Sequence, residues 1–304
     1  MASGDPVLRH NALVYDGDDE YVSRALPFLR EGLEAGQGAV VAHTRPGLAI
    51  MREALGADAA AVTFVDTSFS YTRPARTLAA YHAVYADQLT RHSSVRAVAD
   101  VQFGPDPREW DLWTGYEAVF NRSFAHLPAW VLCSYAAERL PDRVREGVLR
   151  THPEVVAAGG WRTSERFEHP DRVLRDLAAV PPPILGLRPI TFDGDVNAFR
   201  ERVAAELAAE LVPEAKTIDM LLAVTEVIAN AVQHGGGVAQ VRVGKADGRF
   251  VCEVVDRGTG FDDPAAGYLA PRAGVGAGLW VVRQLTWQVD FFPARDGFTT
   301  RIWL

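Results

Sequence analysis

Residues 221–237 read LLAVTEVIANAVQHGGG, and the carboxyl-terminal half of the chain is organised around this stretch. On a helix, at about 100° per residue, Glu226, Asn230 and His234 fall within one narrow sector. The apolar side chains gather on the opposite side: Leu221, Val224, Val227, Ile228, Ala231 and Val232. The pattern predicts an amphipathic helix whose polar face carries a carboxylate, an amide and an imidazole in a row.

Small residues surround this polar row. Ala223 and Ala229 flank it, so a ligand could lie close to the helix, and Gly235 suits the left-handed conformation that often ends one. A solvated helix face is the simpler explanation of the stretch taken alone. The motifs further along the chain favour a binding face.

The composition is that of a globular protein with two domains. The chain has 304 residues, of which 48% are apolar and 23% charged. A formal net charge of −8 argues against a protein that binds nucleic acid through phosphate contacts. Neither a signal peptide nor a membrane-spanning apolar run is found, so we expect a cytoplasmic protein that does not insert in a membrane. Cys133 and Cys252 lie in apolar runs, where buried, reduced thiols are expected.

The amino-terminal half alternates apolar runs with helical patterns. Strands are predicted at residues 12–15, 39–43, 62–65, 95–101 and 130–134, and helices at 20–35, 47–55, 74–92 and 108–126. This alternation predicts an α/β domain with a mainly parallel sheet covered by helices on both faces. Such sheets bind ligands beyond the carboxyl ends of their strands, where four polar residues lie: His43, Asp66, Asp100 and Tyr135.

Several short patterns in this half resemble the MEDS sensory domain, over roughly residues 8–180. They are His10-x-x-Leu13-Val14-Tyr15, PFLREGL at 27–33, Tyr116-Glu117 with Asn121, and Trp130-Val131-Leu132-Cys133-x-Tyr135. That domain is found in bacterial regulators of one-carbon and methyl-halide metabolism and fused to signalling kinases. The resemblance implies a sensor of small molecules without naming the ligand. His10, Glu117 and Cys133 suggest a metal site, but their spacing is not that of a known ligand cluster, and structural packing is the preferred interpretation of Cys133.

Regularity is lost between residues 151 and 183, apart from a short helix predicted at 171–179. Three consecutive prolines from Pro181 favour a stiff, extended segment. We therefore predict three regions: a sensory domain at 1–180, a proline-rich linker at 181–187 and a second domain at 188–304.

The second domain combines helices with antiparallel strands. Strands are predicted at 188–192, 238–243, 250–255, 288–292 and 299–303. Helices are predicted at 196–211, capped by Asp195, at the central stretch after Pro213, and at 279–285. The apolar positions of the first helix are Val196, Phe199, Val203, Leu207 and Leu211. The pattern predicts an α+β two-layer sandwich with the central helix on a mixed sheet.

Two glycine-containing motifs follow in this domain. Residues 256–261 read DRGTGF directly after a strand, so that a carboxylate at Asp256 could bind an exocyclic amine such as that of adenine. Residues 274–279 read GVGAGL just before a helix, where bare backbone N–H groups can bind phosphates. Each motif alone is weak, since the first is also typical of a turn and the second of a flexible loop.

Together, in this order, the three motifs resemble the ATP-binding (Bergerat) fold shared by gyrase B, MutL and histidine kinases. The resemblance implies ATP and Mg²⁺ as cofactors, with Asn230 binding the metal and Asp256 the adenine. Gly258 and Gly260 would form the floor of the base pocket, and His234 would be structural or assist the phosphates. The phosphate-facing lid would consist of Gly274, Gly276, Gly278 and the adjoining Leu279.

Within that superfamily, residues 185–304 resemble the anti-sigma factor serine kinases. A sensor histidine kinase needs an acceptor histidine on a long helical hairpin, whereas residues 137–195 offer only His152 and His169, each beside a proline. The resemblance implies phosphorylation of an anti-anti-sigma factor of the STAS type, sequestration of a sigma factor, and a homodimer as one oligomeric state. Glu226 would be the general base, or else a carboxylate that orders water or orients Asn230. Two alternatives stay open: an ATP-binding switch without phosphotransfer, and a histidine kinase acting on an acceptor in trans.

Overall fold

The computed structural model describes residues 8–68, 73–157, 159–178, 182–269 and 276–304. The chain forms two compact units, Met1–Leu174 and Arg175–Leu304. The predicted start of the linker at residues 180–181 lies outside the described residues. Among the described helices, none combines the length and apolar character needed to cross a bilayer.

The first unit is built on a seven-stranded sheet in the order β3-β2-β4-β5-β1-β6-β7. Its strands are β1 Leu8–Tyr15, β2 Gly38–His43, β3 Val62–Asp66, β4 Val95–Asp100, β5 Ala129–Ala136, β6 Glu154–Ala157 and β7 Gly160–Thr163. All neighbouring pairs are parallel except β6 and β7, which are antiparallel. Every residue of β2 and β4 is buried, as expected for central strands of a sheet that is covered on both faces.

Helices cover both faces of this sheet. The helices in this part of the chain are α1 Gly17–Glu34, α2 Arg45–Leu55, α3 Pro74–Leu89, α4 Pro107–Ser123, α5 Asp142–Thr151 and α6 Pro170–Leu177, which crosses the boundary between the two units. Because successive strand residues face opposite sides, Leu132 of β5 joins the core formed with α1 and α2. Its neighbour Cys133 faces α4, where its Sγ lies 3.9 Å from the Glu117 carboxylate. The prediction of a mainly parallel sheet covered on both faces is confirmed.

The segment from residue 151 to 183 is more regular than predicted. Strand β6 pairs with β1 and carries β7 with it, and α5 ends just before them at Thr151. Strands of four residues have too few positions for their period to be recognised, and β6 is stabilised by β1, which is distant in sequence.

The second unit has five strands in the order β11-β12-β10-β9-β8. They are β8 Arg188–Ile190, β9 Val238–Ala246, β10 Arg249–Asp256, β11 Gln288–Ala294 and β12 Gly297–Trp303. Every neighbouring pair is antiparallel, so the prediction of a mixed sheet is wrong. The connections between adjacent strands β9–β10 and β11–β12 are hairpins, which can only join antiparallel strands.

Three helices complete the second unit: α7 Val196–Ala209, α8 Glu214–Gln233 and α9 Gly278–Leu285. Buried side chains from α7 and α8, such as Phe199 and Ile228, share one core with Val243, Cys252 and Ile302 of the sheet. The arrangement is the predicted α+β two-layer sandwich. Both cysteines of the chain are free and buried, as expected.

Helix α7 begins where predicted but ends earlier than predicted. Asp195 caps α7 by accepting from the backbone N–H groups of Asn197 and Ala198, at 2.8 and 3.1 Å. The helix ends at Ala209, and Leu211, with a φ of 56°, is 88% exposed rather than in the core. A left-handed residue turns its side chain away from the helix face, so the helical period does not apply there.

The buried face of α8 is rotated about the helix axis relative to the predicted apolar face. Ala223, expected beside the polar row, is fully buried, whereas Val232 is 54% exposed. The helix packs against α7 and α9 as well as the sheet. A helix with three neighbours buries a different arc from one that lies on a sheet alone, and the sequence of α8 does not reveal its neighbours.

Candidate functional site

The polar row on α8 is shorter than predicted. Glu226 and Asn230 lie one turn apart and are half-buried. His234 is the residue after the helix, with a φ of −123°, and its side chain is exposed. The left-handed residues that end the helix are Gly236 and Gly237, not Gly235. The row in the helical geometry therefore consists of one carboxylate and one amide.

The first residue of α9 lies directly against this row. A Cβ at Gly278 would be 2.8 Å from Glu226 Oε2 and 3.4 Å from Asn230 Nδ2, which is too close for any side chain to fit without movement. Within the described parts of the chain, neither the Glu226 carboxylate nor the Asn230 amide has a hydrogen-bond or ion-pair partner. The first and third motifs thus meet, and their polar groups are available to a ligand.

The second motif meets the carboxyl end of α8. A Cβ at Gly235 would lie 2.5 Å from Asp256 Cγ, and one at Gly258 would lie 3.0 Å from the Cα of Gly235. Asp256 Oδ1 accepts a hydrogen bond of 2.7 Å from the Gly258 N–H. Burial raises the pKa of the Asp256 carboxyl above its usual value, and this hydrogen bond opposes the shift. Close packing of glycines therefore holds Asp256 beside the end of α8.

The pairing of β9 and β10 is irregular just before Asp256. The register between the two strands shifts between Val255 and Asp256. Such irregularities turn a side chain out of the regular alternation and are frequent beside active sites. The position of Asp256 thus depends on a local feature that the sequence pattern does not predict.

The remaining predicted glycines have different surroundings. Gly260 has a φ of 78°, and a Cβ there would lie 2.3 Å from the ring of Phe298, so the position requires glycine for packing. Nothing lies within 4 Å of a Cβ placed on Gly276. Leu279 is half-buried, and Gly274 lies outside the described residues.

Arg283 is a residue of this region that the sequence analysis missed. Its Nε donates to the Ala266 carbonyl at 2.7 Å, and its guanidinium lies 3.9 Å from the centre of the Tyr268 ring. The side chain is buried, and this burial lowers its pKa. Arg283 therefore ties α9 to the turn that precedes residues 270–275. A single arginine within the apolar sequence of this short helix was the available signal.

In the first unit, two of the four predicted strand-end residues come together. The order of the sheet places β2 beside β4, and the chain leaves these two strands in opposite directions, which is where such sheets bind ligands. His43 Nδ1 and Asp100 Oδ2 lie 3.6 Å apart at this point, and both side chains are buried. Burial lowers the pKa of His43 to about 4 and raises that of Asp100 to about 7.

The other two predicted residues lie elsewhere. Asp66 Oδ2 accepts from Arg45 Nε at 2.8 Å, and Oδ1 accepts from the Ser68 N–H at 3.0 Å. Tyr135 is buried with its ring centre 5.8 Å from that of His152. Asp66 is thus engaged in local contacts, and Tyr135 belongs to the buried layer beneath α4 and α5.

Comparison with known families gives one match for each unit. Residues 9–153 match the MEDS family, the methanogen/methylotroph, DcmR sensory domain. Residues 192–303 match the histidine kinase-like ATPase domain. Searches of curated proteins and of solved structures found no match. The chain is therefore a fusion of a MEDS sensory domain with a histidine kinase-like ATPase domain.

Proposed function

We propose that this protein is a signalling regulator whose ATPase domain phosphorylates a serine or threonine of an anti-anti-sigma factor. We also propose that the ATPase domain sequesters a sigma factor. A small molecule bound by the MEDS domain would control both phosphorylation and sequestration. A sensory domain joined to a kinase-like ATPase domain is the composition of a signalling regulator. The kinase activity and its protein partners are what we propose beyond this domain composition.

The observation that carries the proposal is the meeting of Glu226, Asn230 and Gly278. Kinase catalysis requires a positioned nucleotide, a metal that neutralises phosphate charge and a base near the attacking hydroxyl. Asn230 offers an oxygen ligand for Mg²⁺, which retains several waters and needs few protein oxygens. The bare backbone at Gly278, at the start of α9, suits the approach of phosphates.

Glu226 has the chemistry and position of a general base. Its carboxylate lies beside Gly278 and has no competing partner among the described residues. In the proposed reaction the partner's hydroxyl oxygen attacks the γ-phosphorus of ATP, its proton passes to Glu226, and ADP leaves. Asp256, held by Gly235 and Gly258, would bind the adenine amino group.

The helices around residues 137–195 favour a serine or threonine acceptor over a histidine in the same chain. Here the described helices are α5, of ten residues, and α6, of eight, too short for a dimerising hairpin. His152 is fully buried at the end of α5, and His169 precedes α6. Neither histidine lies within a helix that could present it to ATP.

Labelled ATP separates the proposal from its alternatives. The full chain is incubated with [γ-³²P]ATP, Mg²⁺ and candidate anti-anti-sigma proteins, and the products are treated with acid before electrophoresis. Acid-stable label on the partner is expected, because phosphoserine and phosphothreonine survive acid whereas phosphohistidine does not. Acid-labile label on a partner would instead indicate a histidine kinase acting in trans. ATP binding without any transfer would indicate a switch module.

A further inference from the structure

Four side chains that can bind a metal converge in the core of the MEDS domain. They come from β1, α4, β5 and the residue after α5: His10, Glu117, Cys133 and His152. Each is at most 4% exposed. Their ligand atoms all lie within 4.8 Å of one another. A buried group of this kind needs a partner for every polar atom.

The hydrogen bonds around His10 fix the position of its proton. The Asn121 amide nitrogen donates to the carbonyl oxygens of Glu117 and Thr151, at 3.2 and 2.7 Å. Asn121 Oδ1 therefore faces His10 Nδ1, at 3.1 Å. Since this oxygen can only accept, Nδ1 carries the hydrogen, and the neutral ring presents the lone pair of Nε2 to the cluster.

The proton of His152 is fixed in the same way. Its Nδ1 lies 2.9 Å from the Val148 carbonyl oxygen, which can only accept. The Nε2 lone pair of His152 therefore also points into the cluster. The two rings have their centres 4.2 Å apart, so charging both in this buried site would be costly. Burial favours the neutral rings, since it lowers the pKa of His10 to about 4 and that of His152 to about 3.

Hydrogen bonds within the cluster do not give every one of its polar atoms a partner. The nearest carboxylate oxygen to His152 Nε2 is Glu117 Oε2 at 3.7 Å, beyond hydrogen-bond length. His152 Nε2 has no hydrogen-bond partner in the described part of the chain. A buried lone pair without a donor is the feature that a bound cation would remove.

The separations fit a four-coordinate metal. Zinc–ligand bonds of ~2.0–2.3 Å place the corners of a tetrahedron ~3.3–3.7 Å apart. His10 Nε2 lies 3.2 Å from both Cys133 Sγ and Glu117 Oε2, and Glu117 Oε2 lies 3.9 Å from Cys133 Sγ. Asn121 and the Val148 carbonyl hold the two imidazoles from outside, as is usual for histidines that bind metals.

We propose that the MEDS domain binds a divalent transition-metal ion of the zinc class through His10 Nε2, Glu117, Cys133 Sγ and His152 Nε2. Sulfur and imidazole ligands favour zinc and its neighbours over Mg²⁺ or Ca²⁺. Cys133 gives its thiol proton to solvent as the sulfur donates an electron pair to the metal. Thiolate and carboxylate then balance the charge of the cation in the buried site.

Cobalt substitution tests the proposal on the full chain. Protein purified without an affinity tag is analysed for metal by mass spectrometry, stripped with a chelator and titrated with Co²⁺. We expect one equivalent to bind, with the visible absorption of a four-coordinate ion and a thiolate-to-cobalt charge-transfer band. Absence of stoichiometric binding of both Zn²⁺ and Co²⁺ by the folded, stripped protein would overturn the proposal.

Two matched pairs of variants locate the site. Cys133→Ala should lose the charge-transfer band, whereas Cys252→Ala, which removes the other buried thiol, should keep it. His152→Ala should lower Co²⁺ affinity by at least tenfold, and His126→Ala, at an exposed histidine, should leave it unchanged. A charge-transfer band retained by Cys133→Ala would exclude this site.

X-ray absorption on the wild-type protein loaded with Zn²⁺ keeps the test valid if a variant does not fold. One sulfur and two imidazole neighbours are expected, and a first shell of oxygen alone would contradict the proposal. None of these measurements uses ATP, so their outcome is independent of the proposed kinase activity.

Discussion

Gly235 allows the end of α8 to approach the Asp256 side chain closely. Replacing it with alanine would place a Cβ 2.5 Å from Asp256 Cγ, so the Asp256 side chain must move. We expect Gly235→Ala to weaken ATP binding by about tenfold, or about 1.4 kcal/mol, measured by calorimetry. Gly159→Ala is the control, because its nearest neighbour would lie at 3.4 Å. Equal affinities of the two variants would argue against Asp256 as an adenine ligand.

Asn230 should determine the dependence of ATP binding on magnesium. Because its amide is the proposed protein ligand of Mg²⁺, Asn230→Ala should abolish the difference in ATP affinity between Mg²⁺ and EDTA. Titration of a fluorescent ATP analogue under both conditions measures this. Asn197→Ala, at an exposed position on α7, should behave as the wild type. A magnesium effect that survives in Asn230→Ala would remove this residue from the metal site.

Glu226 should affect transfer and not binding. Loss of a general base typically slows the chemical step by about 10²–10⁴-fold, so Glu226→Ala should bind ATP normally and transfer phosphate at that reduced rate. Glu214→Ala changes an exposed carboxylate on the same helix and serves as the control. Phosphorylation of a partner by Glu226→Ala at the wild-type rate would show that Glu226 is not the general base.

At the scale of secondary-structure elements, two ion pairs that share the buried Glu253 carboxylate join β9, β10 and β12. Arg301 Nε lies 2.6 Å from Glu253 Oε1, and Arg242 Nη2 lies 2.5 Å from Glu253 Oε2. Arg301 also donates to the Pro182 carbonyl at 3.2 Å, which ties the start of this unit to its last strand. Glu253 and Arg301 are both buried. These contacts fix the registration of three strands on the face opposite the apolar core.

Breaking the Arg301–Glu253 pair should lower the free energy of unfolding much more than breaking an exposed ion pair. Arg301→Ala leaves the Glu253 carboxylate buried with a single partner, and we expect a loss of about 3–5 kcal/mol in the free energy of unfolding. Arg188→Ala removes an exposed ion pair with Glu206 and should cost about 1 kcal/mol or less. Urea unfolding followed by tryptophan fluorescence measures both. Similar losses would show that the Arg301–Glu253 pair contributes no more than a surface contact.

At the scale of the whole molecule, the proposal requires that the MEDS domain influences the ATPase domain. Typical coupling between sites changes affinity or rate by about 5–150-fold. Deletion of residues 1–180 should therefore abolish any response of phosphotransfer to small-molecule ligands or to a zinc-class metal at constant Mg²⁺, as measured by initial rates with labelled ATP. A truncated protein with the same rate as the full chain, both with and without ligands, would contradict regulation by this domain.

The predicted architecture came from patterns that are local in sequence. Alternating helices and apolar strands indicated the parallel sheet, and the spacing of Glu226 and Asn230 placed both side chains on one face of α8. Such patterns persist because helical and strand periods are set by the backbone alone. The helical period does not predict the exposure of Leu211 and Val232, because the end of a helix or a neighbouring helix decides burial there.

The contacts in the two sites join residues that are distant in sequence. Local patterns were enough to identify a sensory domain followed by an ATPase domain, and the order of the three motifs in the second. Only the tertiary structure brought His152 to His10, Glu117 and Cys133, and placed Gly235 against Asp256. Strand order and helix packing create these contacts between distant positions, and no periodic pattern along the chain records which distant residues will meet.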